Sequence, residues 1–231
     1  MLNKIILASK SKVRKQILEK NNIFSLVEPS DIDEDIVKKS LLKDKIAPDI
    51  ISKTLAELKA NKVKASNIDE DIVKESLIKE KASPKIISKN LAELKANKIS
   101  LNQENLMVLG ADSVIDLEGE LISKPESREE ALVILKKLNG KKHYLVSSVC
   151  ISKNGSMIWN YTDKAALTMK NLSEEDLKIY LSKITDEALY AYNVYQIEGE
   201  GRNLFLKIEG DEDTIMGLPI KKIKEYLNIT Q

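Results

Sequence analysis

Residues 4–14 read Lys-Ile-Ile-Leu-Ala-Ser-Lys-Ser-Lys-Val-Arg. A short apolar run ends in Ser9-Lys10-Ser11 and passes straight into a helical pattern from about Lys12 to Lys20. Strand, turn and helix follow one another without spare residues, which is how an α/β unit begins. Residues 24–28 predict a second strand. Residues 106–115 (LMVLGADSVI) predict a third, broken by Gly110, and Glu118-Gly119 supplies a turn.

Downstream, the signals change character. Ser127 with Glu130 three residues on reads as a capping box for a helix that stops at Asn139-Gly140. Residues 144–152 and 157–169 predict an antiparallel pair turning at Asn154-Gly155, a dipeptide that accepts positive φ. Ser173 and Asp176 cap another helix, residues 204–209 and 214–216 read as short strands, and a last helix follows Pro219. The order is βα-rich at first and mixed later. We therefore expect an α/β fold, a mixed β-sheet with flanking helices.

Composition narrows the function classes. The chain has 231 residues, 42% hydrophobic and 32% charged, ordinary values for a globular protein. Lys and Arg number 37 against 36 Asp and Glu, so overall charge gives no reason to expect a nucleic-acid binder. One Trp, two Phe and seven Tyr are too few for the stacking platforms of single-strand binders. The single Cys150 excludes an internal disulfide and fits a reducing cytoplasm. No apolar run approaches the ~18 residues of a membrane span, and Lys4 interrupts the first one before it could form a signal-peptide core. The expectation is a cytoplasmic protein with no membrane partner.

The chain also contains a repeat with a period of 36 residues. Residues 32–63 realign on residues 68–99, and 24 of the 32 aligned pairs are identical. Two copies are too few for a solenoid. Each copy reads as a helical pair, with Pro48 or Pro84 opening the second helix, a position where proline is tolerated. Removing one unit leaves 231 − 36 = 195 residues, a comfortable single domain. The organisation expected is one domain over residues 1–231 carrying the duplicated helical segment as an insertion.

Four constellations could carry chemistry. Ser9, Ser11, Lys12 and Arg14 stand where a strand meets a helix N-terminus, a junction whose free N–H groups and dipole attract anions. The chain has no Walker-type loop, and simple helix capping explains the same residues. Gly110-Ala111-Asp112-Ser113 places a carboxylate near the end of an apolar strand, where it could hold Mg²⁺ or deprotonate water; a lone Asp there is more often a turn residue. Lys124 before Pro125 could face phosphate, and residues 195–201 (YQIEGEG) form a glycine-bearing loop suited to a ligand. His143 is the sole histidine, which excludes a His-based metal cluster and most hydrolase triads. Structural duty is expected for His143, and burial for Cys150.

Taken in order, the segments LASKSKVR, SDIDE, LAELKA, GADSV, SKP, LNGKKH, ALTMKNLS, YQIEGEG and IEGDEDTIMGLPI span nearly the whole chain. Together they resemble the Maf family, nucleoside triphosphate pyrophosphatases once described as septum-formation inhibitors. The resemblance implies a two-lobed α/β domain with a central cleft, often a homodimer. It also implies hydrolysis of a nucleoside triphosphate to the monophosphate and diphosphate with a divalent metal, Mg²⁺ or Mn²⁺, in nucleotide-pool house-cleaning. Carried over residue by residue, Asp112 becomes the general base or metal ligand, with Glu34 as the second cleft carboxylate. Ser9, Arg14 and Lys124 become phosphate contacts, Lys95 the helix lysine, and Glu198 part of base recognition.

This sequence departs from the family pattern in two places. Lys12-Val13-Arg14 stands where the family usually has Pro-Arg-Arg, and residues 191–199 (AYNVYQIEG) lack the usual Lys and carry Glu198 for Gln. A catalytically weakened nucleotide-binding regulator of cell division is therefore the competing expectation. The related inosine-triphosphate pyrophosphatases fit SDIDE and GLPI less well. The repeat offers Glu34 or Glu70 and Lys59 or Lys95; short connections to the flanking strands favour Glu34 and Lys95.

Overall fold

Alternation along the first strand organises the molecule. Ile5, Ile6 and Leu7 are all buried, so both faces of this strand must be covered. The structure, a computed structural model, describes residues 5–29, 83–122, 124–186, 189 and 194–229. Strand β1 (Ile5–Leu7) leads into helix α1 (Lys12–Lys20) and returns to β2 (Ser25–Val27), parallel to β1. Helix α2 (Pro84–Ser100) precedes β3 (Met107–Leu117), which pairs in parallel with the other side of β1. Strand β4 (Glu120–Ile122) folds back on the end of β3.

The rest is antiparallel. After α3 (Arg128–Leu138), the long strands β5 (Lys142–Lys153) and β6 (Ser156–Met169) form a hairpin beside β3. Asn154 and Gly155 both turn at positive φ, 51° and 78°, as the dipeptide predicts. Helix α4 (Glu174–Lys183) starts on a complete Ser173–Asp176 capping box, and β7 (Phe205–Glu209) pairs with the end of β6. Short α5 (Glu212–Ile215) and α6 (Ile220–Tyr226) follow. The seven strands make one mixed sheet in the order β2-β1-β3-β5-β6-β7, with β4 on β3. This is the mixed α/β class expected from the sequence.

Three local expectations change. Gly110 does not break the third strand, because β3 runs on through it. Residues 214–216 are not a strand: Asp211 caps a helical turn by accepting from the Asp213 N–H at 2.9 Å, and Thr214 and Ile215 are helical. At α3, Ser127 accepts from the Glu130 N–H as expected, but the Glu130 carboxylate accepts from Glu126 N–H rather than closing the box on Ser127.

Side-chain direction assigns the two faces. Ile5, Leu7, Leu109, Ala111, Val149 and Ile151 pack with α1 and α6 in one core. Ile6, Ala8 and Val108 turn the other way and meet Ile99 of α2, while Cys150 meets Ala92 and Ala96 of α2. A second, larger core gathers Ile115, Leu135, Leu145, Leu167, Leu177 and Phe205 at the far ends of the same long strands. Between the two cores, β3 and β5 carry Asp112 opposite Ser148 and Ser113 opposite Ser147, a polar band across apolar strands. Buried polar groups in such strands need hydrogen-bond partners.

Candidate active site

Strand β1 stops at Leu7, paired with Leu109, so β3 continues past it with one edge released from strand pairing until β4 joins it at Ile115. Ala8 N–H donates to the Leu109 carbonyl at 2.9 Å, closing the ladder. The next outward carbonyl on that edge, Ala111, is taken by a side chain: Arg14 Nη1 donates to it at 2.9 Å. The site is built here, at the carboxyl end of the parallel strands, where α/β folds commonly bind ligands.

Arg14 lies in the first turn of α1. Ser11 caps that helix by accepting from the Arg14 N–H at 3.3 Å, and Ser9 Oγ accepts from the Ser11 N–H at 3.2 Å. These hydroxyls take N–H groups that the sequence reading left open to an anion. The guanidinium itself donates from Nη1 to Ser9 Oγ at 3.2 Å, from Nη2 to Ser113 Oγ at 3.3 Å, and from Nε to the Gly217 carbonyl at 3.1 Å. Gly217 sits at φ +90°, and a Cβ there would come within 3.1 Å of Arg14 Nε and Nη2. Glycine is needed on both counts.

Asp112 belongs to the opposite face of β3. Its side chain is 2% exposed and meets Lys95 of α2, whose Nζ lies 2.9 Å from Asp112 Oδ1. Lys95 is equally deep, 5% exposed at its side chain. Asp112 Oδ2 is buried and has no hydrogen-bond partner among the described residues. Ser88, two turns before Lys95, donates to the Asp112 backbone carbonyl at 3.0 Å.

Gly110 makes this pairing possible, since a Cβ on it would stand 2.2 Å from the Ala92 carbonyl oxygen and 2.7 Å from the Ala96 N. The close approach that glycine allows here is that of a helix, not a ligand. Asp112 and Arg14 thus reach the same free edge of β3 from its two faces, and no direct contact joins them among the described residues.

Of the residues named from sequence, the structure brings Ser9 to Arg14 and Lys95 to Asp112. Lys124 follows β4, beyond the polar band. Glu198 is exposed, its carboxyl raised above the usual range by partial loss of water, and among the described residues it bonds to neither Asp112 nor Arg14. Glu34, with Glu70 and Lys59, lies outside the described residues. Among those residues no group of three or more His, Cys, Asp or Glu side chains could hold a metal ion. Sequence reasoning named Ser113 only as part of its Gly110–Ser113 segment, without a role, and missed Ser88, Ser147, Asp163 and Thr214, which bond within the band or to it. Their signal was present as hydroxyls interrupting the apolar strands at 113 and 147.

The mixed sheet thus carries a buried carboxylate–ammonium pair on one face of β3 and an arginine cradle on the other. The family model described as Maf-like protein matches residues 4–73 and 62–230, and the chain belongs to this family. It is similar to a protein of Pelagibacter ubique named nucleoside triphosphate pyrophosphatase, at 63% identity over 229 residues, covering 99% of each chain. A protein of the same name from Ruegeria pomeroyi is 39% identical over 96% of this chain and 94% of its own. A protein of Rhizobium etli named 7-methyl-GTP pyrophosphatase is 32% identical over 95% of this chain and 92% of its own.

Proposed function

We propose that this chain is a hydrolase that cleaves a nucleoside triphosphate between the α and β phosphates, releasing the monophosphate and diphosphate in nucleotide-pool house-cleaning. The observation that carries the reading is Asp112: one oxygen is held by Lys95 and the other is buried without a partner among the described residues, on the strand whose Ala111 carbonyl holds Arg14. The printed names of the relatives support the same substrate class.

In this reading Asp112 accepts the proton of a water whose oxygen attacks phosphorus. The new P–O bond forms as the bridging P–O bond breaks, and diphosphate leaves with the electron pair. Arg14, placed by Ser9 and the Ala111 and Gly217 carbonyls, offsets phosphate charge, a task suited to its planar fork of donors. Lys95 fixes the carboxylate and balances its charge in a buried setting. Lys124 and Glu34 complete the phosphate and carboxylate sets, and Glu198 contributes to base choice.

A divalent cation, Mg²⁺ or Mn²⁺, fits the orphaned Asp112 Oδ2, because magnesium sites use one or two protein carboxylates and take their other ligands from substrate phosphates and water. When bound it supplies charge neutralisation at the phosphates. The overlap of the two family matches at residues 62–73 supports a tandem duplication of the helical segment. We also place the protein in the cytoplasm, working as a homodimer without nucleic-acid or membrane partners. No described helix is long and apolar enough to cross a membrane.

The test is diphosphate release from normal and modified nucleoside triphosphates, 7-methyl-GTP included, with Mg²⁺ or Mn²⁺. Wild-type turnover of one or a few substrates is expected, and Asp112→Asn lowers it by about 10³-fold or more, the order of a lost general base. A wild type that binds nucleotide without releasing diphosphate would instead establish the regulatory reading.

A further inference from the structure

Ser147 is fully buried in the middle of β5, and neither the proposed chemistry nor either hydrophobic core uses it. Its hydroxyl makes two short contacts, 2.7 Å to the Thr214 carbonyl oxygen and 2.8 Å to Ser113 Oγ. Ser113 Oγ in turn lies 3.3 Å from Arg14 Nη2. The proton positions in this row follow from chemistry. A carbonyl oxygen only accepts, so the single Ser147 proton goes to Thr214. A guanidinium only donates, so Ser113 accepts from Arg14, and its own proton is left for Ser147. Each hydroxyl donates once and accepts once. The row runs in one direction, from Arg14 through Ser113 and Ser147 to the Thr214 carbonyl.

The far end is also held. Thr214 Oγ1 donates to Asp163 Oδ2 at 2.8 Å, tying the α5 turn to β6. Three residues after Thr214, the Gly217 carbonyl accepts from Arg14 Nε, so the same α5 segment grips the guanidinium by two routes. We propose that Ser113 and Ser147 form a positioning relay that fixes the plane of the Arg14 guanidinium for the phosphates, with the Thr214 carbonyl as its anchor. This rests on the proposed reading of Arg14 as a phosphate contact. Removing the Ser147 hydroxyl leaves the Thr214 carbonyl with the Gly217 N–H and frees the Ser113 proton to turn toward another acceptor. Arg14 then keeps its charge and loses its fixed orientation, and small misplacements of such a group weaken recognition strongly.

The experiment titrates inorganic diphosphate into the wild type, Ser147→Ala and Ser147→Thr by calorimetry, and measures KM and kcat for the preferred nucleotide alongside thermal unfolding. Ser147→Ala is expected to weaken diphosphate binding and raise KM on the order of tenfold, with kcat changing less than about threefold, the pattern of lost ground-state binding. Ser147→Thr restores the hydroxyl and should bring both constants back to within about twofold of wild type. Should Ser147→Ala fail to fold, the half-buried Ser113→Ala reads the relay from its other end, with the same KM effect expected.

A folded Ser147→Ala protein that binds diphosphate as the wild type does overturns the relay. So does a loss confined to kcat, or a folded Ser147→Thr protein as weak as Ser147→Ala. A wild type that binds neither diphosphate nor nucleotide overturns the proposed function itself and the relay with it, an outcome distinct from the other three.

Discussion

Lys95 and Asp112 form a buried ion pair, where each charge depends on the other. Removing one partner from a buried pair costs about 3–5 kcal/mol, because the survivor stays buried and uncompensated. Lys95→Met should therefore lower the unfolding midpoint substantially and also lower diphosphate release. The double substitution Lys95→Met with Asp112→Asn should recover most of the stability and none of the activity. Lys59→Met, at the matching position of the first repeat copy, should change neither, and urea unfolding with turnover assays on the four proteins checks all of this. His143 is also buried, beside Tyr195 and Phe205, with Nε2 2.9 Å from the Tyr195 hydroxyl. Burial pulls its imidazole down from 6.5 to about 4, against an opposing hydrogen bond to the Lys141 backbone. The unfolded chain then binds the proton more readily than the folded one, so stability is complete above pH 6.5 and falls as pH drops from 6.5 toward 4. Each pH unit in that window costs up to about 1.4 kcal/mol, so unfolding measured at pH 7.5 and pH 5 should differ by roughly 2 kcal/mol, and His143→Gln should remove that difference.

Helix α2 reaches its place because β3 offers no side chain at Gly110. In Gly110→Ala the new methyl would meet helix backbone, the Ala92 carbonyl and the Ala96 N, neither of which can swing aside as a flexible side chain would. The helix must shift as a body, carrying Lys95 away from Asp112. Overpacking of this kind costs about 1–3 kcal/mol, and activity should fall further than that loss of stability explains. The comparison is turnover at a temperature where both proteins are fully folded; equal activity there would show that the helix need not sit this close.

The same glycine shows how far the sequence was legible. Its value as a site of close backbone approach was readable, yet the partner was not, because a helix and a ligand leave the same mark on one strand. Turns and caps fixed by adjacent residues read correctly, among them Asn154-Gly155 and Ser173 with Asp176. The 214–216 segment misled because Thr and Ile carry strand propensity, while Asp211 three residues earlier sets a helical turn. The contacts around Arg14 span separations of 97 to Ala111 and 203 to Gly217, and no local pattern encodes such pairings. Lys95 and Asp112, only 17 residues apart, meet because helix and strand pack directly on each other.

The two cores share β3 and β5, and the polar band with its catalytic candidates lies where they join, so the site depends on both cores holding one register. The 36-residue repeat runs from just after β2 through most of α2, the helix that carries Lys95. Lengthening a connection costs little free energy, about 0.6 kcal/mol for each doubling of a flexible loop, so an extra unit is tolerable at that point. The same arithmetic makes one unit dispensable. Deleting residues 32–67 joins Asp31 to Ile68, leaves one full copy of the repeat, and returns the chain to 195 residues, as 231 − 36. It keeps Ser9, Arg14, Lys95, Asp112, Lys124 and Glu198, and puts Glu70 at the position that Glu34 holds relative to β2. The shortened protein should fold with an unfolding midpoint close to that of the full chain and release diphosphate within about tenfold of its rate. Loss of activity in a folded deletion protein would instead assign the first copy a part in the site, and Glu34 would then be the residue to restore first.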